Sequence, residues 1–287
     1  KSWMVVVVVS AAFTAIACIT IGFIAGICGV GLWWRRLLIL LFATNPIVIV
    51  FGSNGMSEGI LFAFTLAAFY WVLRFWQSDY DGHLIIASAI LGLLPLIRYE
   101  MMLLTVGVGL LLIVPKSNQS WRDPDNHSFR IQARLIAFAA LASYPIILWA
   151  LASWQIMGSP TYFLANDRSA LKVSQVDLGG SRLDGLYAYI LAGQLWSLAF
   201  PAGVAALVAT LIMGIRYASG RLVILAILPL AIPLFQGFML GRGNIVPLLR
   251  YYIVAIPLGY ILALATIHFF KLSRRTKENK NPKSEFD

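Results

Sequence analysis

The sequence predicts an all-α, polytopic transmembrane helix bundle, and three observations support that prediction. Of the 287 residues, 60% are hydrophobic and only 12% are charged, about half the charged share of a soluble domain. Long apolar runs recur along most of the chain, separated by short polar stretches. This composition excludes an ordinary soluble fold. It also excludes a disordered chain, because disorder requires low hydrophobicity and high charge.

Nine apolar runs, bounded by charged and turn residues, are candidate helices. One crossing takes about 20 apolar residues, so about nine spans fit the length of the chain. The predicted helices cover residues 3–32, 36–52, 58–76, 84–98, 100–115, 132–156, 185–214, 221–240 and 247–271. The fourth and fifth are short and meet at Arg98, Tyr99 and Glu100. A charged triplet between two apolar runs belongs at a membrane interface or in a water-filled cavity.

The cations predict the orientation of these spans. With the C-terminus inside, fifteen of the 22 Lys and Arg residues fall on the cytoplasmic side, as the positive-inside rule requires. We therefore expect a multi-pass protein of the cell (inner or plasma) membrane. It would have a transmembrane domain over residues 1–271, an external loop at 157–184 and a basic cytoplasmic tail at 272–287. The net charge of +10 then reflects topology and contact with anionic membrane lipid, and nucleic acid is not expected as a partner.

Most of the polar residues that could carry chemistry lie at the predicted external ends of the spans. Arginine is prominent among them, and a guanidinium suits a phosphate because it offers a planar, bidentate fork and keeps its charge. An arginine-rich site at the lipid boundary predicts a lipid phosphate as ligand. The residues are Asn45, Pro46, Glu58, Arg98, Tyr99, Glu100, Asp167, Arg168, Lys172, Arg242, Arg250, Tyr251 and Tyr252.

Each of these residues also has a purely structural interpretation. Glu58 could simply favour the positive end of a helix dipole. Arg98 and Glu100 could pair with each other as interface anchors. Arg250, followed by two tyrosines, could anchor the last span in the aromatic belt. Asn45-Pro46 is expected to kink a helix.

Four segments of the chain resemble polytopic glycosyltransferases of the C superfamily (GT-C), in particular aminoarabinose and mannosyl transferases. One is similar to the stretch in which an Asn-Pro pair precedes a small-residue turn and a Ser-Glu, and another to a span that ends in an Arg-aromatic-Glu triplet. Together they cover most of residues 30–260 in order. The segments are RRLLILLFATNPIVIVFGSNGMSE at 35–58, LIIASAILGLLPLIRYE at 84–100, GSPTYF at 158–163 and LLRYYIVAIPL at 248–258.

The resemblance implies transfer of a sugar from a polyprenyl phosphate to a lipid, glycan or protein acceptor on the extracytoplasmic face. The residues that it makes candidates for binding the donor phosphate are Arg98, Arg168, Arg242 and Arg250, with Tyr99 and Tyr251 orienting the donor. The catalytic Asp of the family lies in its first external loop, which we expect upstream of Lys1. Glu58 and Glu100 are then the fallback acids. No residue is assigned to a metal, and a need for a divalent metal ion is left open.

Two other functions are consistent with the sequence. One is a non-catalytic GT-C-like accessory or structural subunit of a larger membrane complex. The other is a lipid transporter or flippase, which would be expected to show inverted repeats and helices broken near the midplane; the sequence shows no internal repeat. An acidic residue in the expected upstream loop would separate an active transferase from an accessory subunit.

Overall fold

The regular structure of the chain is entirely helical wherever the structure describes it. The computed structural model describes residues 2–113, 124–160, 185–217, 219–241 and 248–280, and these ranges contain no strand. The predicted all-α class is confirmed. The α-helices in chain order are α1 Ser2–Ile27, α2 Leu32–Ala43, α3 Pro46–Gly52, α4 Glu58–Ser78, α5 Asp81–Ile97, α6 Met101–Ile113, α7 Pro124–Met157, α8 Gly185–Ala199, α9 Pro201–Arg216, α10 Gly220–Ile227, α11 Ala231–Gly241 and α12 Ala255–Lys280. Two 3₁₀ helices, Leu228–Leu230 and Leu249–Tyr252, precede α11 and α12.

The described residues provide five helices that are long and apolar enough to cross a membrane, or up to seven if each bent pair of helices is one span. The five are Trp3–Ile27, Glu58–Ser78, Phe129–Met157, Gly220–Gly241 and Leu249–Lys271. The predicted count of about nine is therefore not reached by this criterion. The shortfall lies at α5 and α6, which are apolar but have fewer than 18 residues. A multi-pass membrane protein is supported.

Two predicted spans are broken by a proline. The pair α2 and α3 bends by 60°, where the side chain of Asn45 caps α3 by accepting from the backbone N–H of Ile47 at 2.9 Å. This confirms the predicted kink at Asn45-Pro46. The pair α8 and α9 bends by 102°. That break was not predicted, and its cause is Pro201, which holds the preceding residue out of the helical region.

Small residues let the helices approach closely. A Cβ on Gly59 of α4 would lie 2.4 Å from the backbone oxygen of Ser10 in α1, and a Cβ on Gly259 of α12 would lie 2.8 Å from the Cα of Gly203 in α9. Thr210 of α9 also shares a 2.7 Å hydrogen bond with a threonine of α12. In a membrane, where lipid is as apolar as a side chain, close backbone packing and hydrogen bonds of this kind hold helices together.

The bundle has two ends that carry different chemistry. α4 runs between them over 21 residues, about 30 Å at 1.5 Å per residue, which matches the hydrocarbon thickness of a bilayer. We call the end formed by Glu58, Arg98, Glu100 and Arg250 the arginine–glutamate end. The opposite end, where α1 ends and α2 begins, is called the tryptophan–arginine end and is formed by Trp33, Trp34, Arg35, Arg36 and Lys271.

Candidate functional site

Three separated parts of the chain build the arginine–glutamate end. Glu58 is the first residue of α4. Arg98 and Glu100 lie in the short junction between α5 and α6, where Arg98 takes an extended conformation that ends α5. Arg250 lies in the 3₁₀ helix before α12. Each of these charged side chains therefore lies at or next to a helix end.

Two ion pairs join these parts into one network. The Nε of Arg250 contacts Oε1 of Glu58, which is 192 residues away in the sequence. The Nε of Arg98 lies 2.6 Å from Oε1 of Glu100. Arg98 also donates a hydrogen bond from Nη1 to the backbone oxygen of Arg250 at 2.9 Å. This bond connects the two ion pairs, so four charged side chains form one unit.

Burial makes this network costly. The Glu58 side chain is 0% exposed, that of Glu100 is 2% exposed and that of Arg98 is 9% exposed, while Arg250 is 38% exposed. A buried charge costs several kcal/mol unless it is paired and hydrogen-bonded. Among the described residues, Oε2 of Glu58 has no hydrogen-bond partner. Oε1 of Glu100 is close to Arg98 but makes no aligned hydrogen bond. Both carboxylates therefore retain acceptor capacity inside the protein.

Aromatic rings pack beside Arg98 and its neighbour Tyr99. The guanidinium carbon of Arg98 lies 5.1 Å from the centre of the Tyr251 ring, close enough for a cation–π contact. Tyr99 packs edge-on against Phe235 of α11, with 5.8 Å between the ring centres. The first contact orients the Arg98 side chain, and the second brings α11 to the same end of the bundle.

Two buried polar side chains at the arginine–glutamate end differ from what the sequence predicts. Gln236, next to Phe235 in α11, is 0% exposed, and neither its amide oxygen nor its amide nitrogen has a partner in the described part of the chain. Tyr252 is also 0% exposed with an unpartnered hydroxyl there, which is not the position of an aromatic-belt residue. The sequence pattern that could have identified Gln236 is a single amide side chain within an apolar span, because polar residues inside a membrane are rare and usually functional.

The structure brings six of the eight candidate residues to one end of the bundle. These are Glu58, Arg98, Tyr99, Glu100, Arg250 and Tyr251. The pairing of Arg98 with Glu100, one of the structural interpretations of the sequence, is present. Glu58 does begin a helix, as the dipole interpretation requires, but it also holds Arg250. Arg168 and Arg242, and with them most of the external loop, lie outside the described residues.

The formal charges within the described network cancel. Arg98 and Arg250 contribute two positive charges, and Glu58 and Glu100 contribute two negative ones. An anionic ligand therefore needs cation donors that the glutamates leave unused. In the described part of the chain, the two Nη groups of Arg250 have no partner and meet this requirement. The same ranges contain no group of three His, Cys, Asp or Glu side chains that could hold a metal ion.

The arrangement can bind an anion through a guanidinium edge and can accept a proton through a buried carboxylate oxygen. The guanidinium of Arg250 and the carboxylate of Glu58 are in direct contact, at the start of α4. Comparison of the chain with protein-family models, with curated protein sequences and with solved structures found no match.

Proposed function

We propose that this protein is an integral membrane glycosyltransferase of the GT-C type, which moves a sugar from a polyprenyl phosphate donor to a lipid, glycan or protein acceptor. The observation that carries the proposal is the contact between Arg250 and the fully buried Glu58. Transfer of this kind needs a cation at the phosphate leaving group and a carboxylate at the acceptor hydroxyl. The Arg250–Glu58 pair places one of each side by side.

The arginines would hold the donor phosphate. Nε of Arg250 is engaged by Glu58, so the phosphate would bind the outer Nη edge of the partly exposed guanidinium. Arg98 is held by Glu100 and by the ring of Tyr251, and it would add positive charge on the buried side of the phosphate. Tyr251 and Tyr99 would then face the donor and orient it. Arg168 and Arg242 remain predicted phosphate contacts.

The glutamates would serve the acceptor. In the reaction, a carboxylate takes the proton of the acceptor hydroxyl and the acceptor oxygen bonds to the anomeric carbon. The bond from that carbon to the phosphate oxygen breaks, and its electron pair leaves with the polyprenyl phosphate. Oε2 of Glu58 is buried without a partner in the described residues, so we assign this role to Glu58 before Glu100. The family that the chain resembles uses an Asp for this step, and Glu58 would act either with such a residue or in its place.

Donor binding tests the phosphate site. In liposomes with radiolabelled polyprenyl phosphate sugar, Arg250→Ala should weaken binding by about 1.5 to 3 kcal/mol, the range for a hydrogen bond to a charged group. Arg250→Lys should recover only part of the loss, because an ammonium cannot form the paired fork. Arg130→Ala, which removes one cation from the other end of the bundle, is the matched control. Equal binding by the Arg250→Ala and Arg130→Ala proteins would overturn the proposed site.

Transfer to an acceptor tests the base. Glu58→Gln should keep donor binding and lower the transfer rate by about 10²- to 10⁴-fold, the usual contribution of general-base catalysis. The transfer rate of Glu100→Gln, measured in parallel, shows which of the two carboxylates is the base. Donor binding with no transfer by the unaltered protein, for any acceptor class, would favour the accessory-subunit alternative instead.

The membrane arrangement is part of the proposal. We place α5 and α6 as two short spans, which with the five long helices and the two bent pairs makes nine. The arginine–glutamate end then faces outwards and the C-terminus is cytoplasmic, in line with the distribution of cations. In intact cells, a cysteine replacing Ser174 should react with an impermeant maleimide and one replacing Ser120 should not. The reverse result would turn the site towards the cytoplasm.

A lipid transporter or flippase is the second candidate, favoured by the two broken helix pairs. Transporters often bind substrate where a transmembrane helix is interrupted, and α2–α3 and α8–α9 are interrupted by bends of 60° and 102°. Reconstituted protein that moves a fluorescent polyprenyl phosphate between leaflets without breaking its sugar bond would support this function. Sugar transfer without such movement would exclude it.

A further inference from the structure

Two cations converge on the turn between α1 and α2. Lys271 donates from Nζ to the backbone oxygen of Gly29 at 2.5 Å. Arg35 donates from Nε to the backbone oxygen of Val30 at 2.6 Å. The two acceptors belong to consecutive residues, so both positive charges are held at one short turn. Gly29 has a φ of +69°, the left-handed conformation that commonly ends a helix.

These cations have no carboxylate partner among the described residues. In the described part of this end, the carboxylates that form ion pairs are those of Asp79 and Asp81, and their partners are Arg130 and Arg134. The carbonyls that hold Lys271 and Arg35 follow the end of α1 at Ile27, and a helix end carries only about half a negative charge. Two full positive charges at one turn therefore remain largely uncompensated, which favours an anion beside them.

The surroundings of the turn indicate what kind of anion this is. Leu32, Trp33 and Trp34 are 62%, 73% and 61% exposed, immediately before Arg35 in the first turn of α2. Tryptophan is enriched where a membrane protein meets the headgroup region, because its ring is apolar and its N–H is polar. A small soluble anion would use the cations and leave these side chains without a contact. A phospholipid would use both.

We propose that the α1–α2 turn binds an anionic phospholipid, with Arg35 and Lys271 at the headgroup phosphate and Trp33 and Trp34 against the glycerol and upper acyl chains. A net negative lipid is specified because a zwitterionic headgroup brings its own cation to a site that already has two. The site is about 30 Å along α4 from the arginine–glutamate end, so it does not depend on the proposed transferase activity.

Lipid retention tests this site. The purified full chain is equilibrated with mixed micelles of phosphatidylglycerol and phosphatidylcholine, and bound lipids are counted by native mass spectrometry. At about 1 kcal/mol for each basic residue near a membrane surface, the double variant Arg35→Gln with Lys271→Gln should bind phosphatidylglycerol roughly thirtyfold more weakly. Phosphatidylcholine binding should not change.

A matched control removes the same charge from the same end. Arg74→Gln with Arg130→Gln should retain phosphatidylglycerol nearly as well as the unaltered protein. Equal losses in both double variants would overturn the proposal, because they would indicate general surface charge. No loss in either would also overturn it, as would displacement of the lipid by excess soluble glycerol phosphate.

Two further variants cover the case in which the first one fails to fold. Arg35→Lys with Lys271→Arg keeps both charges and should retain the lipid. Trp33→Ala with Trp34→Ala leaves the cations in place and should lower phosphatidylglycerol retention, because it removes the apolar half of the site. Unchanged retention in the tryptophan variant would mean that a lipid is not the ligand.

Discussion

Arginines at the two ends of the bundle are held in different ways. At the arginine–glutamate end, Arg250 pairs with a carboxylate that is 0% exposed. At the other end, Arg130 pairs with Asp79, and the two side chains are 53% and 40% exposed. An exposed pair contributes about 0 to 1 kcal/mol. A buried pair can cost as much as it returns, but breaking it by removing one partner costs about 3 to 5 kcal/mol.

The difference in burial between the two sets of ion pairs indicates which set serves the structure and which serves function. The pairs around Asp79 and Asp81, whose carboxylates are 40% and 57% exposed, join α7 to the junction of α4 and α5 at little cost. The buried network has no comparable structural justification, because well-packed apolar residues would stabilise the same helix ends at least as well. A protein that keeps four buried or half-buried charges at one end of the bundle gains something other than stability from them, and ligand chemistry is what we propose.

Removing Arg250 should give the largest effect on stability. Arg250→Ala leaves Glu58 buried without its counter-ion, so the free energy of unfolding in mixed micelles should fall by about 3 to 5 kcal/mol. Arg130→Ala should lower it by less than about 1 kcal/mol. Unfolding induced by dodecyl sulfate measures both. Similar losses in the two variants would show that the ends do not differ in the way described.

A double variant sharpens the same comparison. Glu58→Gln with Arg250→Gln removes both charges, and it should cost less than Arg250→Ala alone because no unpaired charge is left inside. If the double variant were the less stable of the two, the pair would be a net stabilising interaction. The argument that it is kept for chemistry would then lose its support.

The next effect concerns the packing that positions Glu58. A Cβ on Gly59 would lie 2.4 Å from the backbone oxygen of Ser10, so Gly59→Ala must push α4 away from α1. We expect a loss of about 1 to 3 kcal/mol, the usual cost of overpacking, and weaker donor binding because the shift of α4 displaces Arg250, which contacts Glu58. Gly193→Ala is the control, because nothing lies within 4 Å of its Cβ position in α8. It should stabilise the helix by up to about 1 kcal/mol.

The features that the sequence predicts correctly are local. The kink at Asn45-Pro46 follows from an N-capping residue and a proline that are adjacent. The pair of Arg98 and Glu100 joins residues two positions apart. The contact of Glu58 with Arg250 spans 192 residues, and nothing in the sequence pattern specified that partner. It depends on α12 packing against α4, which is a property of the assembled bundle.

The errors have equally specific causes. Pro201 lies within a long apolar run, so residues 185–214 were predicted as one helix, although a 102° bend divides them. Gln236 was overlooked because it is a single polar residue among apolar ones. The count of nine spans is not confirmed, because it includes the two short predicted helices; α5 and α6 have 17 and 13 residues, fewer than the roughly 20 of a typical crossing.

The smallest expected effect is at Cys28, beside the proposed lipid site. Its side chain is buried, and this burial raises the pKa of the thiol to about 12, although the nearby charge of Lys271 acts in the opposite direction. The thiolate is the reactive form. A raised pKa keeps the thiol protonated at neutral pH, so reaction with maleimide should be negligible from pH 7 to 9 and should increase only as the pH approaches 12. Mass spectrometry measures the extent of Cys28 labelling in the folded protein, and again after unfolding in dodecyl sulfate. The comparison tests whether the folded protein protects the thiol. Rapid labelling of the folded protein at pH 8 would mean that the α1–α2 turn opens, and that its two cations are not fixed as described.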